Sequence, residues 1–438
     1  MWIRDLWARS RQSLVARNTG WMLLAQGGRL LIQGVYFVLI GRSLGPAGFG
    51  LFMGALALVY ILMPFANWGT GHILVMQVSR DPASFPAYWG NTLLTTVIGG
   101  TVFTSIAMIV GTILVPSIPL TLILTLALAE LWFSLILDAC GQAFQVFDRL
   151  GVTAAISILE NGLRLIAAAV FMALTMNPTP QLWGVWYLFS ALLASCVALV
   201  IVTRSLGRPR FVPSLMHHHI RDGWNFSVSL ASATIYNDID KTMLVRLATS
   251  EAAGIYAAAY RVIDMATAPL TSLLRATYAE FFRRGGLGIQ GSSRYARRFV
   301  PFILCYGVVA SLGLVVLAPI TPYALGREYQ MTVGAIQMLA ILPALRGLYT
   351  FAANALTGAG HQGIRSCAQV GVAIFNVLLN LWLIPRYSWQ GAVWSSLVST
   401  ATLVVLMWTA VWFLSNRSER AVRIRATEEG SAPSESRS

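Results

Sequence analysis

The sequence predicts an all-α polytopic membrane protein of about 12 transmembrane helices in two six-helix lobes. Three observations carry that prediction. The 438 residues are 56% hydrophobic and 11% charged, with a mean hydropathy of +0.67, whereas a soluble domain carries about 25% charged residues. Apolar stretches of roughly 20 residues, each enough to cross a bilayer as a helix, recur along the whole chain. The arginines are distributed with a strong bias between alternate loops.

The first apolar run begins near Thr19 and is too long for the core of a cleaved signal peptide, so it reads as a retained helix. The expected spans are Thr19–Gly41, Phe49–Trp68, Tyr88–Val115, Ile118–Phe147, Val152–Thr175, Leu182–Thr203, Trp224–Leu247, Ala252–Arg275, Phe299–Ala318, Thr332–Phe351, Ile364–Ile384 and Gly391–Leu414. The fourth is over-long and is expected to tilt or to project from the bilayer. With the N-terminus inside, 22 of the 31 Lys and Arg fall in cytoplasmic segments, and only Arg42, Arg327 and Arg386 fall opposite. Both termini then lie in the cytoplasm, on the inner face of the cell membrane. The net charge of +14 is a topology signal, with attraction to anionic lipid headgroups, and does not call for nucleic acid.

The Pro- and Arg-containing stretch 207–222 separates two halves of similar size. Residues 1–206 form an N-terminal six-helix lobe, 223–415 a C-terminal one, and 416–438, rich in Ser, Glu and Arg, a disordered tail. Both halves enter from the cytoplasm, which implies parallel repeats. The repeat is visible locally. Sliding Phe37–Gly54 by 206 positions lays Ala47-Gly48 on Ala253-Gly254, with Pro64 and Pro269 nearly matched. No loop is long enough for an enzyme domain. The longest, Ala276–Arg298, is expected to lie along the cytoplasmic surface. Cys140, Cys196, Cys305 and Cys367 sit in apolar segments at no metal-like spacing and read as small core residues.

The charges inside the spans point to function, because charge at bilayer depth is costly unless it faces protein or water. The bases are Arg29, Arg164, Lys241, Arg246, Arg261 and Arg346; the acids are Glu130, Asp138, Glu160, Asp238, Asp240 and Asp264. Helical spacing allows Glu160–Arg164, Asp238–Lys241 and Arg261–Asp264 pairs. Arg246 lies near a helix end, where it can snorkel. Arg29 and Arg346 have no acid nearby on their own helices, and arginine suits phosphate because its planar fork donates two hydrogen bonds. They are the candidates for a mobile anion, one from each lobe, against the competing role of pairing with Glu130 or Asp138. Tyr256, Tyr260 and Asp264 share one helical face, as do Asn376 and Asn380, and either face can line a glycan path or simply join helices. With Arg261, the two tyrosines complete the substrate-binding candidates. Asp240, Asp238, Asp264 and Glu130 are the candidates for a coupling ion.

Three patterns are set aside. Gly286-Leu287-Gly288-Ile289-Gln290-Gly291 matches a dinucleotide fingerprint but follows no strand. His217-His218-His219 point in different directions and lack further ligands. Trp2, Trp7, Trp21, Trp68, Trp89 and Trp389 lie near expected helix ends and read as an interfacial belt.

Arg42-Ser43-Leu44-Gly45-Pro46-Ala47-Gly48-Phe49-Gly50 resembles the R-x-L-G-P-x-x-F/Y-G signature of the polysaccharide-transporter family. These are the oligosaccharide flippases of the multidrug/oligosaccharidyl-lipid/polysaccharide exporter superfamily. Asp240-Lys241, Gly254-Ile255-Tyr256 and Ala259-Tyr260-Arg261 are similar to its second-half motif, although Ala248-Thr249-Ser250-Glu251 departs from Arg42-Ser43-Leu44-Gly45. The resemblance spans essentially the whole chain. It implies a MATE-like, V-shaped pair of lobes that moves an undecaprenyl-pyrophosphate-linked oligosaccharide to the outer leaflet by alternating access. Membrane lipids, a polysaccharide polymerase and glycosyltransferases are the implied partners, and no cofactor is implied. Two other classes remain: an ion-coupled drug or cation antiporter, expected to carry an acidic cavity in its first lobe, and a membrane glycan polymerase or ligase, expected to carry a large external loop.

Overall fold

The computed structural model describes the backbone of residues 2–212, 220–286 and 288–430, and side chains within 27–212 and 234–418. Among the described residues the chain is helical nearly throughout. That is the expected outcome for backbone in hydrocarbon, where every N–H and C=O must be bonded within the segment. The helices are α1 (Trp2–Ala66), α2 (Thr70–Val78), α3 (Phe85–Leu114), α4 (Leu120–Leu128), α5 (Leu135–Val146), α6 (Leu150–Leu174), α7 (Pro180–Ser205), α8 (Ile220–Leu247), α9 (Ser250–Gly285), α10 (Ile289–Leu317), α11 (Thr321–Leu325), α12 (Gln330–Leu339), α13 (Leu342–Gly358), α14 (Gln362–Tyr387) and α15 (Trp389–Gly430).

All twelve expected spans have helical counterparts, joined differently from the expectation at several points. The first two spans form α1, interrupted only at Gly45, whose φ of 63° and ψ of 176° suit glycine. This is a reversal rather than a bend. The Phe37 and Phe49 rings pack at a tilt with centroids 5.7 Å apart, whereas 12 residues of continuous helix would separate them by about 18 Å. The fourth span is α4 and α5 joined through a π-helical turn, Ala129–Ser134. The tenth is α12 and α13, bent by 44° between them. Eight described helices are long and apolar enough to cross a membrane, and this bent pair makes a ninth. The double passage of α1 counts once there, and α8 and α9 are not among them.

Several expectations are corrected. The 276–298 segment is no surface-lying loop: α9 runs through Gly285 and α10 starts at Ile289, with a short break around Gly288 (φ 97°). The G-x-G-x-x-G match sits on that break, and no strand precedes it among the described residues. α15 continues to Gly430, so the backbone of 416–430 is helical rather than disordered. Residues 431–438 and His217–His219 lie outside the described residues, as does most of the 207–222 linker. Of the cysteines only Cys140 is buried, and the other three are exposed. An apolar span has a lipid-facing side on which a small apolar residue is equally at home. Trp89 belongs to the core: it is fully buried and stacked on Phe85 at 6.1 Å.

Packing divides the chain into two compact units, Met1–Ala257 with Thr321–Gln330, and Ala258–Ile320 with Met331–Ser438. The division falls within α9 and not at the 207–222 stretch. The physical reason is the contact of the second half of α1 with α8 and the start of α9. An added Cβ on Gly254 would strike the carbonyl of Pro46, and one on Gly50 would strike the carbonyl of Ser250. Thr242 Oγ1 donates to the Gly54 carbonyl at 2.8 Å. The two backbones cross in antiparallel register beside Ala47-Gly48 and Ala253-Gly254, the dipeptides matched by the sequence repeat. Small residues at such a crossing let helices approach closely, which drives association in lipid.

The core of the first unit also holds an aromatic cluster, in which Trp183 meets Phe171 at 5.4 Å and Phe52 meets Tyr187 at 5.7 Å. In the second unit Phe351 packs on Phe299 at 5.1 Å and on Phe281 at 5.9 Å. Trp408 Nε1 donates to the Leu348 carbonyl at 3.1 Å. α14 and α15 are joined by amides and hydroxyls. Asn376 Nδ2 donates to Ser395 and Ser399 at 3.1 and 3.2 Å, and Asn380 Nδ2 donates to Asn376 Oδ1 at 3.0 Å. Both asparagines are buried, so this face joins helices.

Candidate functional site

In the first unit, α1, the α4–α5 span, α6 and α7 bring polar residues together. The α4–α5 span carries Glu130, Ser134, Asp138, Gln142 and Gln145 at helical spacing, a stripe on one face. α6 carries Ser157, Glu160, Asn161 and Arg164 in the same manner, and α1 carries Arg29 and Gln33 one turn apart. The π-helical turn lies under the start of the first stripe. Glu130 and Ser134 on it are buried, whereas Asp138 and Gln145 beyond it are exposed.

The buried part is a closed network. Arg164 donates to Glu130 at 3.5 Å and to Glu160 at 3.2 Å. Tyr187 donates to Glu130, and the Arg164 guanidinium lies 4.2 Å from the centre of the Tyr187 ring. Gln33 Nε2 donates to Asn161 Oδ1 at 3.3 Å, and Asn161 Nδ2 donates back to the Ser157 carbonyl at 2.7 Å. The Glu160–Arg164 pair expected from spacing is present, and Arg164 also takes a second acid from another helix.

The open part is a cavity of about 280 Å³ lined by Arg29, Asp138, Gln142, Gln145, Ser157 and Glu160 among others. Arg29 and Asp138 both face it, exposed, and neither makes a hydrogen bond or ion pair among the described residues. Gln142 Oε1 is buried without a hydrogen-bond partner. Sequence reasoning placed Arg29 but missed Asp138, Gln142, Gln145 and Ser157 as lining. The stripe from Glu130 to Gln145 was the signal that could have found them.

The central hairpin, still in the first unit, holds a second network. Asp240 is fully buried and accepts from the Tyr256 hydroxyl and from the Lys241 backbone N–H at 2.8 Å. Lys241 pairs with Asp238 and donates to the Asn237 carbonyl at 3.2 Å. The expected Asp238–Lys241 pair is therefore present. Asp240 and Tyr256 are brought together by the turn between α8 and α9 and are enclosed by protein. Arg246 is exposed.

The second unit holds Tyr260, Arg261, Asp264 and Arg346. Arg346 of α13 donates to Asp264 of α9 at 2.7 Å and lies 5.1 Å from the centre of the Tyr260 ring. Arg346 thus has an acidic partner, neither Glu130 nor Asp138 but Asp264. Asp264 is 47% exposed, Arg346 14%. Arg261 is half-buried on α9 and Tyr260 buried. No group of three or more metal-ligating side chains is present among the described residues.

Residues 15–278 match the family described as polysaccharide biosynthesis protein. No curated protein matches the chain. Solved structures of similar fold include an inward-facing multidrug resistance MATE family transporter of the MOP superfamily. It is 15% identical, covers 89% of this chain and 96% of its own, and has a TM-score of 0.70. Lipid II flippase MurJ, in an inward closed conformation, is 10% identical over 90% of this chain and 87% of its own, with a TM-score of 0.73. A MOP superfamily transporter from Pyrococcus furiosus is 14% identical over 89% and 94%, with a TM-score of 0.62. At these identities the likeness is one of fold.

Proposed function

The chain belongs to the polysaccharide biosynthesis protein family, and we propose that it is a flippase carrying a lipid-linked oligosaccharide from the cytoplasmic to the outer leaflet. The cargo on this reading is an undecaprenyl-pyrophosphate-linked glycan, moved by alternating access. The observation that carries the reading is the polar cavity of the first unit, inside apolar helices, with Arg29 facing it and in no hydrogen bond or ion pair among the described residues. An arginine free to donate two hydrogen bonds suits a phosphate oxygen pair. Arg346, over Tyr260 and paired to a half-exposed Asp264, can exchange that carboxylate for a phosphate. Tyr260 and Arg261 then serve the glycan side, while the enclosed Asp240–Tyr256 and Glu130–Tyr187 contacts couple ion occupancy to helix position. A polymerase and glycosyltransferases are the partners that would consume and supply such a lipid.

The test is deletion of the gene followed by analysis of lipid-linked glycans on the cytoplasmic leaflet. Accumulation of one such species, cleared by the reintroduced gene, is the expected result. An unchanged lipid-linked pool in cells that become drug-sensitive would sink the reading.

That second outcome belongs to cation-coupled antiport, which one observation favours: the cavity of the first unit contains Asp138 and Glu160 alongside Arg29. Topology has its own test. With both termini cytoplasmic, as the arginine bias supports, a cysteine at Glu328 should react with an impermeant reagent added outside. One at Gln290 should not, and the reverse pattern would invert the assignment.

A further inference from the structure

We infer that the cavity of the first unit is a subsite for one hydroxyl-rich sugar residue, neutral or amino-bearing rather than acidic. The inference rests on the flippase reading for the origin of that sugar and goes beyond it in naming which part of the cargo sits where. The cavity measures about 280 Å³, at the small end of the roughly 300–1,000 Å³ typical of small-molecule pockets. That is the scale of a single sugar ring, not of a whole oligosaccharide or a lipid.

The wall carries open carboxylate acceptors beside one guanidinium donor. Asp138 makes no hydrogen bond or ion pair among the described residues, and Glu160 has one oxygen held by Arg164 at 3.2 Å. Gln142 Oε1 is not among them: it is buried against Gly71 of α2, without a hydrogen-bond partner among the described residues. Ring hydroxyls or an ammonium group supply donors to the open carboxylates. Leu137 and Ile156 complete the lining and offer the apolar surface that a ring's C–H face needs. The Thr153 hydroxyl is already spent on the Gly141 carbonyl at 2.9 Å, which ties α5 to α6 beside the cavity.

The charge pattern narrows the ligand. A sugar carboxylate would face Asp138, which has no ion pair among the described residues, and Glu160, which Arg164 offsets on one oxygen; Arg29 is the one cation on the lining, and like charges at this range repel in a low-dielectric site. A bare metal cation would have to accept Arg29 in its wall. A polyhydroxylated or amino sugar meets both: it donates to the carboxylates and accepts from the guanidinium.

The experiment uses the full chain in nanodiscs, with glucose, glucosamine and glucuronate as probes read by saturation-transfer NMR. Glucose and glucosamine should give saturable signals, and glucuronate should bind at least several-fold more weakly. Ser157→Phe, which fills the cavity, should weaken the first two at least tenfold while eluting as folded protein. Asp138→Leu should do the same; if it fails to fold, Ser157→Phe decides. The absence of a saturable signal from any monosaccharide overturns the subsite. So does equal binding of glucuronate, or undiminished binding in folded Ser157→Phe. Translocation of a lipid-linked oligosaccharide in proteoliposomes is measured alongside. Translocation without monosaccharide binding removes the subsite and keeps the flippase; binding without translocation does the opposite.

Discussion

The two units handle charge inside apolar helices in different ways. In the first, Arg164 is shared between two carboxylates from different helices and covered by the Tyr187 ring, and Glu130 also accepts from Tyr187. In the second, Arg346 also lies over a tyrosine ring, that of Tyr260, but pairs with one carboxylate, Asp264, which is about half exposed. A shared, enclosed network is expensive to disrupt, because removing one member leaves uncompensated charge away from water. A pair whose carboxylate is half in water opens at a lower cost, because that member can be solvated when the contact breaks. The difference separates charge that holds helices together from charge available to a ligand.

The largest effect is expected at the shared network. Arg164→Met leaves Glu130 and Glu160 without their cation, and breaking a buried pair this way costs about 3–5 kcal/mol. Folded yield and the heat-unfolding midpoint in detergent should both collapse. A wild-type midpoint would break the comparison, by showing that the first-unit network is no more structural than the second-unit pair.

A smaller effect is expected at the helix crossing. Gly254→Ala drives a Cβ into the Pro46 carbonyl and should cost about 1–3 kcal/mol by overpacking. Gly363→Ala, on α14 of the second unit with nothing within 4 Å of the added Cβ, should leave the midpoint unchanged or slightly raised, since alanine favours a helix over glycine. Equal losses at the two positions would remove the close approach as the cause.

The smallest stability effect and the sharpest functional one are expected together. Arg346→Lys and Arg29→Lys keep the charge, so stability should change by less than about 1 kcal/mol. Lysine cannot donate a planar pair of hydrogen bonds. Glycan export in a deletion strain should fall at least tenfold for both. Normal export by both variants would remove the phosphate role. Loss of folded protein in both would move Arg29 and Arg346 into the class of Arg164.

The sequence by itself determined the class, the helices and the internal repeat. A helix in lipid satisfies its own backbone, so a long apolar run has one available structure, and α3, α6 and α7 lie close to their expected spans. Local spacing also allowed the Glu160–Arg164 and Asp238–Lys241 pairs, which the structure contains, because residues three or four apart share a face whatever the fold; it allowed Arg261–Asp264 equally. Only the tertiary structure decided which distant groups meet. Asp264 had Arg261 one turn before it, yet pairs with Arg346, 82 positions away. Asp240 had no obvious partner until the α8–α9 turn brought Tyr256 to it. Asn376 and Asn380 could have lined a path, and α15 closed over them instead. The cavity was written as three polar stripes on three helices, but periodicity within a helix carries no information about which stripes turn toward one another. That choice is made by packing between helices, which small residues such as Gly50 and Gly254 set by how closely they let two backbones approach.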